Sequence, residues 1–269
     1  MIPMRSLVLA FAFVAPFLSL ALLGTNIFLA FVPLLASHLL VLYATLVANS
    51  QWWGPVITSF ATTEREAWIT IDDGPSATQT LQLLEVLERF HARATFFVIG
   101  AKAEQHPHLI TEILARGHAL ANHTYTHPSA TFWCAGAGRI EHEIDRCAET
   151  LRSTGERPAQ FFRAPAGLKN PFVHPALARR GLRLIGWTVR GLDTIRRNPV
   201  KVAERIERGV CPGAIIVLHD GRQTSNEPDF SARCLELTLQ RLQTRGYRFV
   251  IPRPEQLRTG VGGKQTGGC

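Results

Sequence analysis

The chain has 269 residues, of which 46% are hydrophobic and 19% are charged, and this composition excludes a wholly disordered protein. Its formal net charge is +8, from 29 Lys and Arg against 21 Asp and Glu. No charged residue lies between Ser6 and Thr63. We therefore divide the chain into an apolar N-terminal piece and a globular remainder that is long enough for one α/β domain.

The positive charge would suit anionic glycans or lipid headgroups, and a plain basic surface is the alternative interpretation. We predict no nucleic-acid partner, because the sequence has no basic run with interleaved aromatic residues. The five cysteines form no Cys-x-x-Cys pair, so a zinc ribbon and a dense disulfide framework are both disfavoured. Buried free thiols are expected instead.

Residues 1–50 are predicted to be a membrane segment. Two apolar runs, 7–23 and 27–48, flank the turn-forming triplet at 24–26, and about 20 apolar residues suffice to cross a bilayer. This pattern favours a hairpin of two transmembrane helices. A single long signal anchor is one alternative, and a cleaved signal peptide is another that leaves the second run unexplained. With Arg5 and the amino terminus inside, the hairpin would leave the domain on the cytoplasmic side of a bacterial-type inner membrane.

A linker is predicted at 51–65, and beyond it β-like runs alternate with helical patterns. The predicted strands are 67–71, 94–99, 119–121, 160–162, 182–189, 214–218 and 247–251. The predicted helices are 80–90, 107–116, 139–152, 199–208 and 231–245. Strands separated by helices imply a parallel sheet, either open or closed into a barrel. The Gly-rich tail from Thr259 is expected to be disordered.

Polar residues follow five of these strands. They are Asp72 and Asp73, His123, Arg163, Asp193, and His219. Parallel α/β folds bind ligands at the carboxyl ends of their strands, so these side chains are expected to share one face of the sheet.

Each motif has a simpler alternative when it is taken alone. Asp72 and Asp73 precede Gly-Pro, which is typical of a turn. His123 and His127 are four residues apart and can reach one metal, although such a pair also arises by chance. Arg163 is either a loop residue or a partner that holds a carboxylate. His219, followed by an Asp, is either a general acid or part of a helix cap. Together, an Asp and two His make a three-ligand catalytic metal site with an open position.

The motifs ITIDDGP, NHTYTHPS, RAPAG and IIVLHD occur in this order. The set resembles the polysaccharide deacetylases of the NodB-homology type, carbohydrate esterase family 4, over about residues 67–251. The resemblance implies a catalytic domain at 66–256 and a flexible tail at 257–269. The implied fold is α/β, a distorted incomplete (β/α) barrel of about seven parallel strands after the transmembrane helices. The implied reaction is metal-dependent removal of acetyl groups from sugars.

The resemblance also implies a role for each matching residue. Asp73, His123 and His127 would bind a divalent metal, with zinc expected and cobalt, nickel or manganese as alternatives. The implied catalytic residues are Asp72 as general base, Arg163 as the group that orients it, His219 as general acid, and Asp193 as the residue that tunes this histidine. Ala166, Trp187 and Leu218 would contact the substrate.

Two motifs depart from the family pattern. Ala166 stands where an aromatic residue usually precedes the glycine, and the Asp-x-x-Asp-Trp motif keeps only Asp193. The sequence thus predicts a membrane-anchored, metal-dependent hydrolase of C–N bonds that removes N-acetyl groups from an envelope or lipid-linked amino sugar. The expected partners are an amino-sugar glycan or glycolipid and the membrane. The alternatives are an amidase or deformylase on a lipid-linked amino sugar and a non-catalytic glycan-binding membrane module.

Overall fold

The computed structural model describes residues 3–153, 160–223 and 227–260. Within this part of the chain, two N-terminal helices precede an α/β domain that is built on a ten-stranded sheet. The helices are α1 (Met4–Leu22), α2 (Ile27–Leu46), α3 (Thr80–Arg89), α4 (Gly100–Gln105), α5 (Pro107–Ala115), α6 (Ala137–Arg152), α7 (Val173–Ala178), α8 (Pro199–Gly209) and α9 (Phe230–Thr244). The strands are β1 (Ile57–Phe60), β2 (Glu66–Gly74), β3 (Ala94–Val98), β4 (Ala119–Asn122), β5 (Phe161–Phe162), β6 (Arg183–Leu184), β7 (Val189–Arg190), β8 (Ala214–His219), β9 (Arg248–Phe249) and β10 (Leu257–Thr259).

The two N-terminal helices pack against each other as a hairpin. The side chain of Asn26 begins α2 by accepting hydrogen bonds from the backbone N–H groups of Phe28 and Leu29, at 2.9 and 3.2 Å. Both helices are long and apolar enough to span a membrane. At the open end of the hairpin, Val8 and Ala44 pack against the buried Trp53, which follows the second helix in the chain.

The sheet order is β10-β1-β8-β2-β3-β4-β5-β6, while β7 pairs with β8 and β9 pairs with β2. All pairings among β2 to β9 are parallel, whereas β1 runs antiparallel to both β8 and β10. The sheet curls, and a parallel bridge between Ile57 and Ile185 connects the β1 side to the chain just after β6. The predicted incomplete (β/α) barrel is confirmed.

Side chains of β2 alternate between two cores, as the period of a strand requires. Ala67, Ile69 and Ile71 pack outward against the helices, while Trp68 lies in the barrel interior. Its indole N–H donates to the hydroxyl of Thr95 at 2.9 Å. The same alternation directs Thr70 and Asp72 inward, toward the interior that the site occupies.

The strand predicted at 182–189 is two strands, β6 and β7. Between them the chain crosses the seam of the barrel: the Gly186 N–H donates to the Ile57 carbonyl at 2.7 Å, and the Thr188 N–H donates to the Ile215 carbonyl at 2.9 Å. A continuous apolar run cannot reveal such a crossing, because both halves are buried.

The predicted linker and tail also differ from the structure. Strand β1 lies inside the predicted linker 51–65, and β10 lies inside the predicted tail 257–269. The two strands pair with each other, so both belong to the sheet. Residues 261–269 lie outside the described part of the chain. Helices α4 and α7, of six residues each, were not predicted because they are too short to show periodicity.

Candidate active site

The carboxyl ends of four parallel strands, β8, β2, β4 and β5, meet at one edge of the barrel. Asp72 and Asp73 lie at the end of β2, His219 ends β8, and His123 and Arg163 directly follow β4 and β5. A cavity of about 270 Å³ opens there, lined among others by both aspartates and by His123, His127 and His219. The sheet therefore brings the predicted polar residues together.

Asp73, His123 and His127 form a compact cluster. Their potential ligand atoms all lie within 4.8 Å of one another. The Oδ1 atom of Asp73 is 3.3 Å from the Nε2 atom of His123 and 3.2 Å from that of His127. This oxygen is buried and has no hydrogen-bond partner among the described residues. A buried carboxylate oxygen that faces two imidazole nitrogens is the arrangement that a cation would complete.

The surroundings of the two imidazoles set their protonation. The Nδ1–H of His123 donates to the carbonyl of Arg163 at 2.9 Å, so its Nε2 keeps a lone pair that points toward Asp73. Burial is the main cause that lowers the pKa of His127 to about 4. His127 is therefore neutral near pH 7, as a metal ligand must be.

The backbone around the site takes conformations that side chains rarely adopt. The φ angles are positive at Asp73 (70°), Thr124 (69°), His127 (54°) and Ala166 (53°). Each such residue costs of the order of 1–3 kcal/mol, and the surrounding structure must hold it in place. Asp73, Thr124 and His127 belong to the segments that present the cluster, and Ala166 lies in the cavity wall.

Arg163 is buried behind Asp72 and fully engaged. Its Nη1 donates to Asp72 Oδ1 at 2.6 Å and to the hydroxyl of Thr70 at 2.8 Å. Its Nε and Nη2 donate to the carbonyls of Ile185 (3.3 Å) and Gly186 (2.9 Å). The other carboxylate oxygen of Asp72, Oδ2, is left 4.0 Å from His123 Nε2. One oxygen of Asp72 is thus fixed and the other faces the cluster.

Asp193 and His219 form a second buried couple. Asp193 Oδ1 accepts from His219 Nδ1 at 2.9 Å, and its Oδ2 accepts from the His219 backbone N–H at 2.8 Å. Burial alone would lower the pKa of His219, but the carboxylate of Asp193 outweighs it and raises the pKa to about 9. The imidazole is therefore charged at neutral pH, and its Nε2 is free to donate.

Two of the three predicted substrate residues line the cavity. Ala166 and Trp187 do so, together with Gly167, Arg190 and Thr194. The prediction for Leu218 is wrong. The strand alternation turns Leu218 into the outer core, and Val217 lines the cavity instead.

The structure adds positioning residues that sequence reasoning missed. Glu143 on α6 is buried, and its Oε2 accepts from the backbone N–H groups of Tyr125 (3.0 Å) and Thr126 (2.8 Å). It thereby holds the loop that carries His127. Lys102 Nζ donates to the carbonyl of Asp73 at 2.7 Å. A charged residue on the apolar face of a helix, as Glu143 is on α6, was the available signal.

Asp220, the residue after His219, has hydrogen-bond partners of its own. Its Oδ2 accepts from the Thr80 hydroxyl at 2.5 Å and from the Ser76 N–H at 3.2 Å. Burial raises its pKa to about 6. Asp220 thus ties together the start of α3 and the loop after Asp73.

A divalent metal ion fits the cluster. The donors are one carboxylate oxygen and two imidazole nitrogens, a set that suits zinc, cobalt, nickel or manganese. The unpartnered Asp73 Oδ1 is the atom that such an ion would satisfy.

Comparisons with known proteins agree with this geometry. A family model described as polysaccharide deacetylase matches residues 60–185. A chitooligosaccharide deacetylase of a Bradyrhizobium species is 32% identical over 200 residues, covering 71% of this chain and 90% of the relative. A peptidoglycan-N-acetylglucosamine deacetylase of Bacillus cereus is 30% identical, covering 68% and 84%.

A solved structure supports the same relationship. The family 4 carbohydrate esterase from Streptomyces lividans, in complex with acetate, superposes with a TM-score of 0.64 at 28% identity, covering 74% of this chain and 98% of the esterase. The chain belongs to the polysaccharide deacetylase family, carbohydrate esterase family 4, whose enzymes hydrolyse the N-acetyl amide bonds of carbohydrates with the help of a metal ion.

Proposed function

We propose that this protein is a membrane-anchored deacetylase that removes the N-acetyl group from an amino sugar of the cell envelope. The observation that carries the proposal is the unpartnered Oδ1 of Asp73, which faces two imidazoles between a fixed carboxylate and a charged histidine. The named substrates of the relatives, chitooligosaccharide and peptidoglycan N-acetylglucosamine, support an amino-sugar substrate.

Asp73, His123 and His127 would hold a divalent cation, and we propose zinc. When bound, such an ion lowers the pKa of water and polarises a carbonyl oxygen. The protein's own contribution to the site is the fixed set of donors and the cavity around them.

Asp72 is proposed to accept a proton from the attacking water. Arg163 holds Oδ1 of this carboxylate at 2.6 Å and leaves Oδ2 on the side of the cluster. The side chain therefore has one orientation, and no rotamer search is needed before proton transfer.

His219 is proposed to donate a proton to the leaving nitrogen. The raised pKa, about 9, keeps it charged at neutral pH, and its bond to Asp193 fixes the ring. The C–N bond breaks as the nitrogen gains this proton, and the products are acetate and the free amino sugar. The backbone N–H of Ala166, in the strained loop of the cavity wall, would stabilise the developing oxyanion.

The membrane anchor is proposed to be the hairpin of α1 and α2. Both helices have the length and hydropathy of a span, and most of their large apolar side chains are exposed. A hairpin puts both ends on one side, and Arg5 at its start favours the cytoplasmic side. Reporter fusions to the carboxyl terminus test this orientation.

The direct test of the activity is release of acetate from a panel of substrates, with and without a chelator. The panel contains chitooligosaccharides, peptidoglycan fragments, and N-acetyl and N-formyl amino sugars on lipids. We expect acetate from at least one N-acetyl sugar, loss of this activity with chelator, and recovery with added zinc. Activity that persists in chelator would contradict the proposed metal site, and preferential release of formate would favour the deformylase.

A further inference from the structure

The chain that leaves the second membrane helix touches the wall of the active-site cavity. Gly167 lines this cavity, and a Cβ placed on it would lie 2.7 Å from the Cβ of Ala48 and 2.5 Å from the ring of Trp187. Ala48 comes only two residues after Leu46, the last residue of α2. The next residue, Asn49, donates from Nδ2 to the carbonyl of Trp187 at 2.8 Å. Ala48 and Asn49 therefore support the cavity wall from behind.

A buried lysine fastens this contact. Lys169 is fully buried, and its Nζ donates to the carbonyls of Val47 at 3.1 Å and Ala48 at 2.7 Å. Burial lowers its pKa to about 8, so it is still mostly charged at neutral pH. A charged donor on two carbonyls at the end of a helix is a strong interaction in a dry environment. These hydrogen bonds thus attach the helix end to the loop of the cavity wall.

This attachment fixes the height of the cavity above a membrane. Helix α2 has 20 residues, which is about the thickness of the hydrocarbon core. The two residues from its end to Ala48 reach at most about 7 Å, which is about the depth of one headgroup layer. The wall formed by Gly167 and Trp187 therefore lies at the level of the lipid headgroups.

The same wall carries a cation, Arg190. Arg190 lines the cavity, and its guanidinium lies 5.2 Å from the centre of the Trp187 ring. Its Nε is buried and has no hydrogen-bond partner among the described residues. Arg163, in contrast, donates hydrogen bonds from Nε, Nη1 and Nη2 to oxygen atoms of the protein. A planar guanidinium with free donors is suited to a phosphate.

We infer that the substrate is an amino sugar carried by a membrane lipid through a phosphate. The sugar enters the cavity from the headgroup layer along the wall of Gly167 and Trp187, and Arg190 binds the phosphate. This inference rests on the proposed function, since it names the substrate of the same site. It places the substrate in the bilayer that holds the enzyme, rather than in solution.

The test uses the full chain in phospholipid vesicles with zinc. The lipid substrate is N-acetylglucosamine joined through one phosphate to a long isoprenoid alcohol, placed in the same vesicles or in separate ones. N-acetylglucosamine 1-phosphate and a neutral chitooligosaccharide are the soluble substrates. We expect acetate release from the lipid in the same vesicles to be at least about tenfold faster than in the other three arms at equal sugar concentration.

A variant isolates the phosphate contact. Arg190→Gln removes the charge and is expected to lower the ratio of kcat/KM for the lipid substrate to that for chitooligosaccharide by about tenfold or more. Arg208→Gln is the matched control. Arg208 lines a cavity away from the site residues, and its Nε donates to a carbonyl of its own helix. This control is expected to leave the ratio unchanged.

The outcomes separate this inference from the proposed function. Equal rates on chitooligosaccharide and on the lipid would retain the deacetylase and overturn the lipid substrate. If the rate on N-acetylglucosamine 1-phosphate equalled the rate on the lipid in the same vesicles, phosphate binding would be retained. The inference that the substrate comes from the membrane would be overturned. An unchanged ratio in Arg190→Gln would remove Arg190 from recognition. Acetate release from no N-acetyl substrate would instead overturn the proposed function.

Discussion

Two buried aspartates flank the Asp73 cluster, and each is paired with a cation. Asp72 is paired with Arg163 at 2.6 Å, and Asp193 is paired with His219 at 2.9 Å. In the first pair the aspartate faces the cluster and the cation is behind it. In the second pair the histidine lines the cavity and the aspartate is behind it.

The difference lies in which partner can exchange a proton. Arginine stays protonated in proteins, so Arg163 can only hold and orient the carboxylate in front of it. Histidine titrates, and Asp193 raises the pKa of His219 to about 9, so the group in front can give up a proton. The same ion-pair chemistry therefore presents a proton acceptor on one side and a proton donor on the other.

The largest expected effect comes from breaking the acceptor side. Asp72→Asn keeps the size of the side chain but removes its ability to take a proton. We expect kcat to fall by about 10²–10⁴, the usual contribution of a general base. Metal content, measured by atomic emission, should remain that of the wild type. The neighbouring Asp73→Asn is the matched control, which should lose metal together with activity. Near-normal turnover in Asp72→Asn would remove this residue from the role of base.

The next largest effect is expected from changing Arg163, which lies behind the proton acceptor Asp72. Arg163→Lys keeps a positive charge but cannot reach all four acceptors of the guanidinium. Buried carbonyls then lose donors, so we expect the free energy of unfolding to fall by about 2–4 kcal/mol. Turnover should fall by about tenfold or more, because Asp72 is no longer held in one orientation. Chemical denaturation and kcat measured together check this. If the free energy of unfolding and kcat were both unchanged, the orientation of Asp72 would not depend on the guanidinium of Arg163.

The donor side is tested through its pH profile. Asp193→Asn removes the carboxylate that contributes most to raising the pKa of His219, so burial then lowers this pKa from about 9. Since the protonated imidazole is the donor, activity is lost as pH rises through this pKa. The alkaline limb of kcat/KM should therefore move from about pH 9 to a lower pH. Asp220→Asn, at the next position but outside the couple, should leave the limb in place. If the alkaline limb of the Asp193→Asn variant stayed near pH 9, that limb would report the titration of a group other than His219.

Much of this arrangement could be predicted from the sequence, because parallel strands deliver their following residues to one edge. Asp72, Asp73 and His123 come directly after apolar runs, so their positions depended only on recognising those runs. The assignment of Leu218 failed for a related reason. It depended on which face of β8 looks inward, and a strand that is apolar on both faces does not reveal this in its sequence.

The supports behind the site could not be predicted from the sequence in the same way. Ala48, Lys169 and Glu143 act from positions that are distant in the chain, and each is a common residue in an ordinary context. Their partners are mostly backbone carbonyls and N–H groups, which every residue carries. Which of these backbone groups becomes a partner depends only on the three-dimensional path of the chain.

Glu143 is a third buried carboxylate, and its partners sharpen the comparison. Among the described residues its hydrogen-bond partners are neutral: the backbone N–H groups of Tyr125 and Thr126 and the hydroxyl of Thr126 donate to it. Its role should therefore be to shape the loop before His127 rather than to move a proton. Glu143→Ala should weaken metal binding by about tenfold, as loss of an outer support does, while saturating zinc restores turnover.

Glu143→Gln, which keeps an acceptor for the two N–H groups and a donor for the hydroxyl, should bind zinc nearly as tightly as the wild type. Titration with zinc, followed by competition with a chelator, measures all three proteins. If Glu143→Ala kept normal zinc affinity but lost turnover at saturating zinc, the carboxylate would act on the reaction itself. The site would then contain a third titrating acid, and the division between a fixed acceptor and a charged donor would be incomplete.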